Sequence, residues 1–394
     1  MRFVHTADLH LGRKLQQMSL EEDFEHVLVQ LYDLVARARA DALVVAGDVF
    51  DSANPTEGAV RLWDRFITGM AEGGVAVLAI GGGVDAGAHL SAGSDLLARS
   101  GIHDAGSLTG KVQVVEVDGV NVWLLPFVKP ADVAAWAHDL DIVCPEEMTY
   151  DEALGVVCDH IRSRKAFRKR PNVLVAHQLV CAGDKAPIRC DSEQSYFGAD
   201  GGVENVDVSR FDGFDYVALG HCHVPQSVGR DTCRYAGSPL KLSASEATDE
   251  KSFNVVGIKA TPDGVRIKNK LVEVEPLHDF RCVRGTVSEL VEAAEQEGKK
   301  RRGDYVSATV TDAEATDAVA RLRQVWPNLV QATFEAQATK GAPKEAPSGE
   351  IDLDKGVDDL FREFYRRETG RALSSEQETM VADAFARAAR KGDE

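Results

Sequence analysis

The sequence lacks a cationic surplus: 45 Lys and Arg face 63 Asp and Glu, a formal charge of −18. Spread evenly, that charge would repel nucleic acid and anionic membrane, so any phosphate-bearing partner must be met locally, by metal ions or a confined basic patch. Paired cysteines are also missing. Cys144, Cys158, Cys181, Cys190, Cys222, Cys233 and Cys282 form no CxxC pair and no regular spacing, which excludes a disulfide framework and a zinc knuckle and fits a reducing compartment. No segment approaches the ~18 uncharged apolar residues of a membrane span. The opening run Arg2–Ala7 reads as a strand, without the basic region and apolar core of a signal peptide. A soluble, cytoplasmic protein with no membrane contact is expected. No internal repeat, heptad array or base-reading module is visible.

What is present is ordinary globular composition, 44% hydrophobic and 27% charged, over 394 residues. Single cores stop growing near roughly 250–300 residues, so one large unit and one or two small ones are expected. The first ~275 residues repeat a short apolar run, a tight polar or Gly-rich turn and often an amphipathic helix. The runs are Phe3–Ala7, Ala42–Ala46, Val75–Ile80, Val120–Pro126, Val173–Ala176 and Tyr216–Leu219. Phe24, Leu28, Leu31, Leu34 and Val35 recur at helical spacing and predict a helix over Glu21–Ala40. This grammar predicts an α/β layered domain. From about Phe280 a small α+β unit is predicted: strand Arg281–Val287, helix Ser288–Gln296, strand Tyr305–Thr311, helix Ala313–Val325 and strand Leu329–Phe334. Ala338–Gly349 reads as a linker. Beyond it, Val357, Leu360, Phe361, Phe364 and Tyr365 form a helical apolar stripe, and Val381, Ala384, Phe385 and Ala388 a second. That pair of helices predicts a docking hairpin for a partner, with folding back onto the body as the alternative.

The chemistry-bearing residues follow the predicted strands. Asp8 and His10 come after the first run, Asp48 after the second, His177 after the fifth, and His221 and His223 after the sixth. Ligands of open α/β sheets bind outside the carboxyl ends of strands, so these six side chains can converge in one crevice. Two Asp and four His suit Mn²⁺, Fe²⁺ or Zn²⁺ rather than a Cys-rich zinc site or an all-oxygen Ca²⁺ site. In extended chain, residues i and i+2 point the same way, so Asp8 and His10 are expected to grip one ion while Leu9 packs behind. The same reasoning pairs His221 with His223 and turns Cys222 into the core. His5, His26, His89, His103, His138, His160 and His278 have no matching position and read as ordinary histidines.

The segments HTADLHLG, GDVFD, AHQLV, LGHCHVPQ and YAGSPLKLS resemble, in order, the motifs of the calcineurin-like metallophosphoesterases, and within them the SbcD family, nuclease subunits of bacterial SbcCD complexes. The resemblance implies a four-layer α-β-β-α sandwich over 1–275, a small α+β capping domain at 280–336, a linker at 337–350 and a helical ATPase-docking tail at 351–394. It implies two divalent ions, Mn²⁺ first: one held by Asp8, His10, Asp48 and His223, the second sharing Asp48 with His177 and His221. The implied reaction is phosphodiester hydrolysis at DNA ends or hairpins, in DNA repair and recombination. Implied partners are an SbcC-type coiled-coil ATPase bound through 351–394 and a second copy of the chain.

One motif departs from that pattern. The family's Gly-Asn-His-Asp falls on Gly82-Gly83-Val84-Asp85, so Gly83 stands where the Asn ligand belongs and Val84 where the catalytic His belongs. Glycine offers no side-chain oxygen and valine moves no proton, so a weakened second metal site and an impaired chemical step are expected. Loss of general acid–base assistance alone is worth ~10²–10⁴ in rate. The alternative is a catalytically inactive DNA-end-binding scaffold for the ATPase; a small-molecule phosphodiesterase gives no reason for the cap and tail. Arg162, Arg164, Lys165, Arg168, Lys169 and Arg170 form a cationic run that could meet DNA phosphates, as could Lys299–Arg302.

Overall fold

The computed structural model describes residues 1–335, apart from 86, 146, 196–204 and 313–316, together with the single positions 361, 378 and 381. The expected linker at 337–350 and, but for those three positions, the docking segment at 351–394 lie outside the described residues. The chain divides into two compact units, Met1–Arg281 and Cys282–Glu394.

The first unit begins β1 (Arg2–Thr6), α1 (Glu21–Ala38), β2 (Ala42–Val45), α2 (Glu57–Glu72), β3 (Ala76–Ile80), β4 (Ile102–Ala105), β5 (Gln113–Val117) and β6 (Val120–Leu125). It continues with α3 (Pro130–Asp139), α4 (Tyr150–Ser163), β7 (Asn172–His177), β8 (Tyr216–Gly220), β9 (Gln226–Val228), β10 (Arg230–Tyr235), β11 (Ser252–Thr261) and β12 (Gly264–Glu273). Two six-stranded sheets result, ordered β12-β11-β1-β2-β3-β4 and β9-β10-β8-β7-β6-β5. β1 to β4 run parallel, as do β6, β7, β8 and β10; antiparallel strands add the outer positions at one edge of the first sheet and both edges of the second.

Strand alternation explains the layering, because successive side chains point to opposite faces. Ala42, Val44, Leu78 and Ile80 of the first sheet meet Val122, Leu124, Val173, Val175, Tyr216 and Ala218 of the second in one core. On the second sheet's other face, Trp123, Leu125, Leu174, Val217 and Leu219 pack with Trp136, Leu154, Val157 and Ile161 of α3 and α4. α1 buries Phe24, Val27, Leu28, Leu31, Leu34 and Val35, and α2 buries Leu62, Trp63, Phe66 and Met70. These two helices contact β1 and β3 respectively. The four layers are those the resemblance implies. Each such Leu or Phe contributes about 1.5–3 kcal/mol by leaving water, which makes this double-sided burial the main source of rigidity under the strand ends.

The predicted helix over Glu21–Ala40 stops two residues early, because Arg39 takes a left-handed φ of 50° and its N–H bonds back to the Ala36 carbonyl. β4, β5, β9, β10, β11 and β12 fall outside the apolar runs of the sequence. β13 (Phe280–Gly285) crosses the boundary, and the second unit continues with α5 (Val287–Glu295), β14 (Tyr305–Val310), α6 (Ala318–Val325) and β15 (Leu329–Phe334), with sheet order β13-β14-β15. Its core gathers Val287, Leu290, Ala294, Val306, Ala308, Leu322 and Trp326. Among the described residues, no helix is long and apolar enough to cross a membrane.

Candidate metal centre

The loops after β1, β2, β3, β7 and β8 meet at one end of the sandwich, and the backbone there is strained. Asp8, His10, Asp48 and His221 have φ of 53°, 47°, 49° and 101°, a region costly for side-chain-bearing residues. This corrects the extended-chain expectation for the Asp8/His10 and His221/His223 pairs: β1 ends at Thr6 and β8 at Gly220, before the paired residues. Neighbouring segments hold the unusual turns in place. Asp8 N–H donates to the Gly47 carbonyl at 3.0 Å, His10 N–H to that of Asp48 at 2.9 Å, and Leu11 N–H to that of Val49 at 2.9 Å. The His221 N–H donates to Asp8 Oδ1 at 2.9 Å. Leu9 and Cys222 are buried as expected, and burial pushes the Cys222 thiol well up, away from nucleophile chemistry.

All six predicted ligands come together, each at most 4% exposed. Donor atoms of Asp8, His10 and His223 lie within 4.8 Å of one another, and so do those of Asp8, Asp48 and His177. Asp48 Oδ2 sits between two imidazoles, 3.8 Å from His10 Nε2 and 3.4 Å from His177 Nε2. His10 Nε2 and His223 Nε2 converge to 3.1 Å, and the His221 ring stands edge-on to that of His177 with centroids 5.4 Å apart.

The electrostatics are those of a cluster built around a cation. Burial raises the Asp8 carboxyl to about 7. Burial also opposes charge on His177, but Asp48 and Asp8 override it and lift the imidazole to about 10. Burial likewise works against Asp48, yet His177 and His10 hold it well below the ordinary carboxylate value. His177 Nδ1 meets the Ala46 carbonyl at 2.8 Å, which aims Nε2 at the carboxylates, where it has no aligned hydrogen-bond partner. A proton or a divalent cation would satisfy it there. Buried carboxylates and imidazoles of this kind fit a borderline divalent ion.

Close backbone approach depends on particular glycines. A Cβ on Gly82 would overlap the Asp48 carboxylate, and one on Gly47 the His177 ring. The departing loop itself is firmly anchored: Asp85 accepts from Val49 N at 3.1 Å, Phe50 N at 2.8 Å and Gly82 N at 3.0 Å. Val84 contributes only its backbone, donating N–H to Asp48 Oδ1 at 2.9 Å. His89 stands edge-on to Phe50, its ring centroid 6.0 Å away.

The remaining histidines keep their ordinary roles where they are packed. His5 bonds Tyr216 Oη and the Leu219 carbonyl inside the core, where burial lowers it to about 3. The basic run lies at the far end of a strand from this site. It precedes β7 while His177 closes that strand, a separation of roughly 17 Å at about 3.3 Å per residue. Arg162 donates to the Arg210 and Asp212 carbonyls and Asp159, Arg164 to the Val112 carbonyl, and Arg170 pairs with Glu116. Lys165, Arg168 and Lys169 extend the run beyond these anchored arginines. A third cluster of possible metal donors, Cys190, Glu246 and Asp249, already has the Lys251 ammonium 2.6 Å from Glu246 and 3.4 Å from Asp249. Sequence reasoning missed the anchoring role of Asp85 and the residues behind His223, namely Ser192, Glu193, Glu246 and Lys251.

Comparison with known proteins identifies the family. The family model for calcineurin-like phosphoesterases matches residues 1–225, and one described as the type 5 capsule protein repressor C-terminal domain, SbcD_C, matches residues 276–369. The chain is 27% identical over 384 residues, 97% of each sequence, to the SbcD subunit of the SbcCD nuclease of Staphylococcus epidermidis. Among solved structures it is similar to a dimetal phosphatase from Danio rerio, with 11% identity, a TM-score of 0.39, and coverage of 70% of this chain and 99% of that one. A phosphoesterase match over more than half the chain, followed by the C-terminal match, places the chain in the calcineurin-like phosphoesterases, in their SbcD family.

Proposed function

We propose that this chain is the nuclease subunit of an SbcCD-type complex, a divalent-metal-dependent phosphodiesterase for DNA ends or hairpins, with its chemical step slowed by Gly83 and Val84. The observation that carries the metal reading is Asp48 Oδ2, set between the Nε2 atoms of His10 and His177. Asp8, His10, Asp48 and His223 would hold one ion; Asp48, His177 and His221 would hold the other, with Mn²⁺ the expected species. Such a pair supplies polarisation of a phosphodiester, a hydroxide near neutral pH and charge stabilisation for attacking and leaving oxygens.

The chain's own residues fix the rest. Val84 N–H orients Asp48 by occupying Oδ1, leaving Oδ2 toward the histidines. Gly83 provides no oxygen to the second ion's shell, and the Val84 side chain has no proton to offer a departing alkoxide. The scaffold therefore binds and orients, while the leaving oxygen must take its proton from solvent, at a cost of ~10²–10⁴ in rate. The same pair of residues favours the second reading, an inactive DNA-end scaffold, should residual cleavage be nil. A cytoplasmic homodimer working with a coiled-coil ATPase through 351–394 completes the proposal.

The test is metal counting and Mn²⁺-dependent cleavage of linear and hairpin DNA by the full chain and by Asp48→Ala. Two ions and slow cleavage, both lost in the variant, support the reading. Retention of two tightly bound ions by Asp48→Ala contradicts the assignment.

A further inference from the structure

We propose that Ser192, Glu246 and Lys251 form a positioning relay that locks His223 in its Nδ1–H tautomer and so presents Nε2 as a lone-pair donor at the metal centre. The inference deepens the metal reading above and rests on it for its consequence, though not for the tautomer.

The argument is one of counting protons. Ser192 Oγ has one hydrogen and two close partners, Glu246 Oε1 at 2.6 Å and His223 Nδ1 at 2.8 Å. Glu246 is fully buried, with Lys251 Nζ 2.6 Å from its Oε2. Its Oε1 also accepts from Ser243 Oγ at 2.9 Å and Leu242 N at 3.2 Å. A carboxylate paired in this way offers only lone pairs, so the Ser192 proton must point to Glu246. Ser192 Oγ can then only accept from His223, which puts the imidazole proton on Nδ1. A bare Nε2 remains, 3.1 Å from His10 Nε2 at the crevice.

The same group of residues grips the His223 backbone. Lys251 Nζ donates to its carbonyl at 2.9 Å, and its N–H donates to Glu193 Oε1 at 2.8 Å. Glu193 is in turn held by Arg189 Nε at 2.9 Å. The YAGSPLKLS segment thereby acquires a physical role: Leu242 and Ser243 come from it, and Glu246 follows shortly after it. Hydrogen-bonded partners of a ligating histidine fix its tautomer and ring orientation, and their loss typically costs about 10–100-fold in metal affinity.

The experiment uses full-length protein with ¹⁵N-labelled histidine, first stripped of metal by chelator and then titrated with Zn²⁺ as a diamagnetic probe. Long-range ¹H–¹⁵N correlation reports which nitrogen of His223 carries the proton, with the His223→Asn spectrum giving the assignment. The relay predicts Nδ1–H in the metal-free protein, loss of that preference in Ser192→Ala with about 10–100-fold weaker Zn²⁺ binding at one site, and recovery of both in Ser192→Thr. A proton on Nε2 in the unaltered protein, or an unchanged tautomer and unchanged affinities in Ser192→Ala, overturns the relay. If the unaltered protein binds no Zn²⁺, the metal reading fails, while the metal-free spectrum still decides the tautomer.

Discussion

Metal affinity should climb steeply with pH, because ion and proton compete for the same buried atoms. His177 is raised above its ordinary value of 6.5 to about 10, so in the metal-free protein it keeps its proton throughout neutrality and yields it only to an incoming cation. At pH 7 that displacement costs about 4 kcal/mol, from three pK units at about 1.4 kcal/mol each. Asp8, raised to about 7, is half protonated there. Filling the two sites at pH 7 should therefore release protons from both residues, and between pH 6 and 8 the overall association constant for the pair should rise about 10³-fold, two decades from His177 and one from Asp8. Calorimetric titration with Mn²⁺ at pH 6, 7 and 8, repeated in buffers of different ionisation enthalpy, measures the affinity and counts the protons. An affinity that is flat over this window, with no proton release, would refute the placement of the two ions against Asp8 and His177.

Two further outcomes follow from the loop geometry and the charge map. Gly82→Ala should weaken Mn²⁺ binding about 10-fold or more, since its Cβ would overlap the Asp48 carboxylate; an unchanged affinity would count against the close approach. Reversing Lys165, Arg168 and Lys169 together to Glu should change DNA affinity by less than about 2-fold, because the run lies at the opposite end of β7 from His177; a tenfold loss, with a flatter salt dependence, would return it to the interface.

The sequence discloses β1, β2, β3, β6, β7 and β8 well, because they are buried almost throughout and read as apolar runs, whereas β4 and β10, parallel as well, carry polar residues that interrupt the pattern. Edge strands were harder. β12 carries Arg266, Lys268 and Lys270 between its apolar residues and lies largely exposed, the manner in which proteins protect a free sheet edge, and such a segment reads as a polar loop. The six candidate ligands were legible as residue types following strands, yet their conformation was not. Positive φ at Asp8, His10, Asp48 and His221 is imposed by hydrogen bonds from segments distant in the chain, which residue type does not encode. Distance in sequence also hid Ser192 and Glu246, which lie on either side of His223 and meet it only in the folded chain. Asp85 was visible as a landmark of its motif; its three backbone N–H bonds explain how the loop keeps its course although Gly83 and Val84 have lost the side chains that the metal centre would use.

The most direct test of that loss compares the chain with its Gly83→Asn, Val84→His double variant, in Mn²⁺-dependent cleavage of linear and hairpin DNA with bound metal counted in parallel. The account predicts a second ion bound more tightly and cleavage about 10²–10⁴-fold faster in the double variant. Equal rates and equal metal content in the two proteins would contradict it.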